Sequence, residues 1–172
     1  MRKKLKVVVI GGGGVRSPLL VESVTSHWAK SLDIGELCLY DTNPKHQQLI
    51  GKVCEEVISR NGSIGQFGFS FNTGPRTLDA DLDSMLAGAD FVITTFRVGD
   101  TNSRVTDERI CAALGILGQE TIGAGGFFMA ARTIPDMLAI MKRIRNLSPD
   151  AWVFNFSNPS GMVAQAMHDS GY

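Results

Sequence analysis

The chain has 172 residues, 44% of them hydrophobic, with 17 basic side chains balancing 17 acidic ones. That is enough for one domain with a proper core and too little for two large ones. The balance argues against nucleic acid or an anionic membrane as partner, nine Phe exclude a disordered chain, and no apolar run reaches the roughly 18 residues of a membrane span.

The N-terminus MRKKLKVVVIGGGG has a basic start and a short apolar run. It lacks both a long apolar core and a small-residue cleavage site, so no signal peptide is expected. Cys38, Cys54 and Cys111 are odd in number and form no CxxC pair. They read as reduced thiols of a cytoplasmic protein, neither a disulfide frame nor a zinc site.

Leu5–Ile10 is an apolar run apart from Lys6, as expected of a strand buried on both faces of a parallel sheet. Gly11–Gly14 follows, and Pro18 opens a helical stretch in which Leu20, Val21, Val24 and Trp28 recur, reaching about Ser31. Glu36–Tyr40 is a second strand, ended by Asp41. Asn43 caps the next helix, Pro44 suits its first turn, and Asn61-Gly62 stops it. Its buried face is read as Leu49, Val53 and Val57 with Ile50, Cys54 and Ile58.

Phe67–Asn72 reads as a third strand, Leu82–Leu86 as a short helix, and Ala89–Phe96 as a fourth strand. A helix is expected from Thr106 to Leu114, with Asp107 and Glu108 at its positive end. A glycine-rich loop then leads into an apolar helical pattern from Phe127 to about Arg145. Pro135 inside it predicts a kink or a second start near Thr133. Ala151–Phe156 is a fifth strand and Ser160–His168 opens another helix. The alternation predicts one α/β domain over residues 1–172, an open parallel Rossmann-like sheet with helices on both faces and order 3-2-1-4-5, with no counterpart of the sixth strand.

The turn Gly11-Gly12-Gly13-Gly14-Val15-Arg16-Ser17 is the candidate nucleotide site. Gly11 suits a tight turn, Gly13 a close approach to pyrophosphate, and Gly14, Val15 and Arg16 lead into the helix end that attracts phosphate. Arg16 stands where the third fingerprint glycine would be, either facing a phosphate or solvated. Asp41 lies 30 positions after Gly11, later than the ~20 of the usual fingerprint, a delay that the long helical stretch between them accounts for. It would accept ribose hydroxyls and repel a 2′-phosphate, favouring NAD over NADP. Otherwise it is a turn residue.

Ligands of such sheets gather at the carboxyl ends of strands, where Thr94, Thr95, Arg97, Asn155, Ser157 and Asn158 stand. Arg97 could clamp an anion, or pair at the surface with Asp100 or Asp107. Asn158 could bond a ribose or sugar hydroxyl, or simply make a turn. Glu120, in the glycine-rich stretch 118–126, could accept sugar hydroxyls or be solvated. His27, His46 and His168 read as surface residues. No hydrolytic triad, HExxH motif or acidic metal cluster is evident.

The segments IGGGGVRSPLL, FRVGDTNSRVTDER, GQETIGAGGFFMAARTIP and WVFNFSNPSG together closely resemble glycoside hydrolase family four, most of all its 6-phospho-β-glucosidases. The family stands apart from two-carboxylate glycoside hydrolysis. The resemblance implies oxidation, elimination, addition and reduction at a phosphorylated β-glucoside or disaccharide, dependent on NAD and a divalent metal, usually Mn2+. It assigns Gly11, Gly13 and Gly14 to the pyrophosphate turn, although many members have Ser at Gly14. It assigns Asp41 to the ribose, Arg97 to the substrate and its phosphate, Glu120 to the sugar-bordering loop and Asn158 to the substrate and nicotinamide. Family enzymes are well over twice this length. Their metal-binding Cys and His and their catalytic Tyr lie beyond the Asn-Pro segment, so the resemblance places no catalytic or metal residue in this chain. It is then the nucleotide-binding part of a longer enzyme, inactive alone, and self-association is expected through the sheet edge beside strand five. The alternative is a 2-hydroxy-acid dehydrogenase of the lactate/malate type, which would not need the Gly118–Pro135 motif.

Overall fold

The computed structural model describes residues 4–25, 33–62, 66–75 and 79–172. Trp28 and Ser31 of the first helical pattern, and His27, lie outside these residues. The chain divides into two compact units, one of Met1–Phe96 with Ile144–Phe154 and the other of Arg97–Arg143 with Asn155–Tyr172.

The first unit is built on a five-stranded sheet in the expected order, β3-β2-β1-β4-β5. The strands are β1 (Leu5–Ile10), β2 (Ile34–Asp41), β3 (Gly68–Thr73), β4 (Phe91–Thr94) and β5 (Trp152–Asn155). β1 pairs in parallel with β2 and β4, and β2 with β3. Val7 lies between Leu37 and Phe91, and Val9 between Leu39 and Ile93. This face packs on Val21 of α1 (Ser17–Thr25) and on Cys54 and Ile58 of α2 (Pro44–Arg60). The residues between them, Val8, Cys38, Tyr40, Val92 and Thr94, are buried too. Burial on both faces is why Val7–Ile10 of β1 are apolar, whereas Lys6, in the less buried first part of the strand, pairs with Glu36, and each of the valines stabilises the fold by roughly 1.5–3 kcal/mol.

Asn43 caps α2 as expected, its side chain accepting the His46 amide at 3.1 Å, with Pro44 in the first turn. The buried face differs from the apolar pattern. Leu49 and Val53 are exposed, and Gln47 and Gly51 are buried with Cys54 and Ile58. Gln47 donates to the Leu39 carbonyl at 2.8 Å, and Gly51 admits the Phe71 ring, whose Cδ2 would stand 2.4 Å from an added Cβ. A polar and a small residue are invisible to a count of hydrophobic side chains. α3 (Ala80–Leu86) is capped by Asp79, whose carboxylate accepts the Asp81 amide at 3.0 Å and the Tyr40 hydroxyl. β4 is shorter at both ends than the apolar stretch 89–96.

In the second unit, α4 (Asp100–Ala113) starts six positions before Thr106, so Asp107 and Glu108 lie within it and not at its positive end. α5 (Gly123–Leu147) passes through Pro135 as one helix, without a second start near Thr133. Its first turn holds Gly123–Gly126, which sequence composition placed in a loop. α6 spans Ser160–Asp169 and follows a cis Asn158–Pro159 peptide.

Candidate functional site

In the first unit the glycine turn closes on the end of β2. The Gly11 and Gly12 amides both donate to the Tyr40 carbonyl at 2.8 Å. Gly11 has φ +96°, and a Cβ there would stand 2.7 Å from the Thr95 carbonyl. Only glycine meets both conditions. Gly13 donates to Asp41 Oδ2 at 3.0 Å, and a Cβ on it would approach that same oxygen to 2.9 Å. The missing side chain of Gly13 is thus explained first by Asp41. The other carboxylate oxygen, Oδ1, accepts the Asn43 amide at 2.8 Å. Each oxygen keeps lone-pair capacity for a further donor such as a ribose hydroxyl.

The lip of the turn is outward. Gly14 is half-buried, and Val15 and Arg16 are exposed. Among the described residues the Val15 and Arg16 amides have no hydrogen-bond acceptor, while Ser17, at the start of α1, donates to the Gly14 carbonyl. Free amides ahead of a helix N-terminus are what a pyrophosphate requires, so the turn fits a dinucleotide. Thr94 is fully buried within the sheet, and Thr95 is half-buried and bonds the Ile10 carbonyl through its amide at 2.8 Å.

In the second unit three residues singled out from the sequence meet at one carboxylate. Arg97 Nη2 lies 2.6 Å from Glu120 Oε2, and Asn158 Nδ2 donates to Glu120 Oε1 at 3.1 Å. Arg97 therefore pairs with neither Asp100 nor Asp107. Asn155 accepts the Ser157 amide at 2.9 Å and donates to its carbonyl at 3.2 Å, bracing the chain just before Asn158.

Two features of this unit escaped sequence reasoning. Arg104 stands 3.9 Å from Glu120 Oε2 while its Nε bonds Glu108 at 2.7 Å. Its spacing of four from Glu108 was a usable signal. Asp107 pairs in bidentate fashion with Arg132, at 3.0 Å and 2.5 Å, across 25 positions that no local pattern connects. The Glu108 carboxylate raises the Arg104 guanidinium above its ordinary value, and Asp107 does the same to Arg132.

All three cysteines are free and buried, and burial pushes the Cys38 and Cys54 thiols up to about 11. His46 and His168 are exposed. Among the described residues no three His, Cys, Asp or Glu side chains stand together as a metal-holding group. The described residues do not fit a metal site.

The family model described as “Family 4 glycosyl hydrolase” matches residues 6–170. The chain belongs to glycosyl hydrolase family 4. It is 41% identical to the 6-phospho-beta-glucosidase of Escherichia coli (strain K12), over 98% of this chain and 36% of that enzyme. A solved 6-phospho-alpha-glucosidase from gut microorganisms, in complex with NAD and Mn2+, superposes with a TM-score of 0.86 at 32% identity, over 97% of this chain and 36% of the other. The 6-phospho-beta glucosidase of Thermotoga maritima, solved with NAD and glucose-6-phosphate, gives 0.80 at 28%, over 92% and 35%. The chain therefore spans about a third of the length of these family 4 relatives. The malate dehydrogenase of Naegleria fowleri matches at 13% identity with a TM-score of 0.65, a likeness of fold alone. The dehydrogenase alternative rests on no more than that.

Proposed function

We propose that this chain is the NAD-binding part of a cytoplasmic, self-associating 6-phospho-β-glucosidase. The observation that carries the reading is the glycine turn locked to Asp41 in a member of family 4, two of whose solved relatives are complexes with NAD. The β assignment is supported by 41% identity to a β-enzyme against 34% to the 6-phospho-alpha-glucosidase of Leptotrichia buccalis. A cytoplasmic site accords with the buried, free thiols, and no described helix is long and apolar enough to cross a membrane.

NAD, when bound, supplies the hydride acceptor for a sugar hydroxyl. The chain's own residues bind and orient. The amides of Val15 and Arg16, with the turn at Gly11, Gly13 and Gly14, receive the pyrophosphate. Asp41 accepts ribose hydroxyls with its remaining lone pairs and repels a 2′-phosphate. Thr94 and Thr95 shape the strand end behind the turn. Arg97 takes the substrate's phosphate, Asn158 holds a sugar hydroxyl and Glu120 borders the sugar. No residue of this chain is assigned as catalytic base or metal ligand. The 172 residues alone bind NAD and leave phosphoglucosides intact.

The test is a set of three assays on the purified chain. Aglycone release from a 6-phospho-β-glucoside with Mn2+ is expected to be nil, and binding of glucose 6-phosphate is expected to exceed that of glucose. Hydride transfer from lactate or malate to NAD would overturn the reading, as would equal affinity for glucose and its 6-phosphate.

A further inference from the structure

Two of the three residues assigned to the substrate, Arg97 and Asn158, do not stand open to it, because the carboxylate of the third occupies them. Glu120 gives one oxygen to the Arg97 guanidinium at 2.6 Å and the other to the Asn158 carboxamide at 3.1 Å. The Glu120 side chain is 19% exposed and that of Arg97 38%, so the pair is open on the arginine side. A carboxylate spanning a guanidinium and an amide presents two anionic oxygens, as a bound phosphate ester would. A second cation waits beside it, with Arg104 Nη1 3.9 Å from the oxygen that Arg97 holds. Arg104 is tied to Glu108 but has further donors on its guanidinium.

We propose that Glu120 is an internal competitor for the anion site, which the substrate's phosphate must displace from Arg97 and which Arg104 then receives. This rests on the reading above that Arg97 takes the phosphate. Its consequence is selectivity. A dianionic phosphate outbids a carboxylate for Arg97, whereas a neutral sugar or a carboxylate ligand does not, so the pair discriminates against unphosphorylated and carboxylate-bearing sugars. Arg104 lowers the cost of displacement because Glu120 exchanges one guanidinium for another instead of being left beside the incoming charge.

The experiment is calorimetric titration of the 172-residue chain with inorganic phosphate and with glucose 6-phosphate, across wild type, Glu120→Gln, Arg97→Met, the double variant and Arg104→Met. Glu120→Gln keeps the shape and the bond to Asn158 while removing the charge. It is expected to tighten phosphate binding about fivefold, the scale of one partly exposed ion pair. The gain should vanish in the Arg97→Met background, which separates release of Arg97 from a general loss of negative charge. Arg104→Met should weaken phosphate binding with Arg97 intact. Unchanged or weaker binding by Glu120→Gln, or a gain that survives in the double variant, would overturn the competitor while leaving Arg97 in its role. Wild-type affinity in Arg97→Met, or no binding by any variant, would remove Arg97 from the phosphate site and the competitor with it.

Discussion

Asp41 accepts the Gly13 amide across 28 positions of sequence, tying the glycine turn to the end of the second strand. Its other oxygen holds the Asn43 amide, which starts the next helix. One carboxylate thus fixes the turn and the helix entry while keeping acceptor capacity for a ligand.

Removing it should be felt in stability as well as binding. Asp41→Ala leaves two amides without their acceptor, each costing about 1 kcal/mol. Urea denaturation of the variant is expected to show a loss of about 2 kcal/mol with an unchanged slope. A midpoint equal to wild type would mean that water satisfies both amides.

The two ion pairs of the fourth helix should separate cleanly. Arg132 and Asp107 meet partly buried and bidentate, whereas Arg104 and Glu108 meet at the surface with a spacing of four. A double-mutant cycle on Arg132→Met and Asp107→Asn should give a coupling above about 1 kcal/mol, and a cycle on the surface pair a clearly smaller one. Equal couplings would contradict the distinction.

Two glycines should respond oppositely to alanine. A Cβ on Gly125 would stand 2.4 Å from the Gln119 carbonyl, whereas one on Gly161 meets nothing within 4 Å. Gly125→Ala must push the chain of residues 119–125 aside and should cost about 2 kcal/mol or more. Gly161→Ala, at the start of the last helix, should stabilise by about 0.5 kcal/mol through helix propensity and a stiffer unfolded chain. Thermal melts of both variants check this, and a neutral Gly125→Ala would show that the turn has room.

The thiols set an alkaline limit. Burial raises Cys38 and Cys54 to about 11 from 9.0, because it penalises the thiolate. Between those values the unfolded chain loses protons that the folded chain keeps. Stability is therefore fully present below pH 9 and declines toward pH 11, by about 2 kcal/mol per thiol. Denaturation midpoints of wild type and Cys54→Ala across that range should converge as the pH rises. Both thiols should resist alkylation at pH 8 until the chain unfolds.

The strands were legible because β1, β2 and β4 are mostly apolar stretches set off by glycine, proline and asparagine, and their order followed from the right-handed crossover rule and the glycine turn after β1. The Asn43 cap was legible because such signals are local. The inward face of α2 was not, because Gln47 and Gly51 fill it through a carbonyl bond and a ring contact that hydropathy does not register. The start of α4 at Asp100 is not legible, because the helix follows Gly99 with no side-chain cap to mark it. Gly123–Gly126 read as loop because glycine disfavours helices, yet Gly125 is there for close approach to the Gln119 carbonyl. Arg97, Glu120 and Asn158 were each legible as candidates. That a single carboxylate joins them was not, since the contacts span 23 and 38 positions.

Calorimetric titration of NAD and NADP onto the wild-type chain and Asp41→Arg reads directly whether the glycine turn and Asp41 hold NAD. Saturable 1:1 binding of NAD by wild type, tighter than NADP, with that preference weakened or reversed in Asp41→Arg, is the expected result. Absence of NAD binding to the folded wild-type chain, or an identical NAD isotherm for Asp41→Arg, would mean that the glycine turn and Asp41 do not form a dinucleotide site.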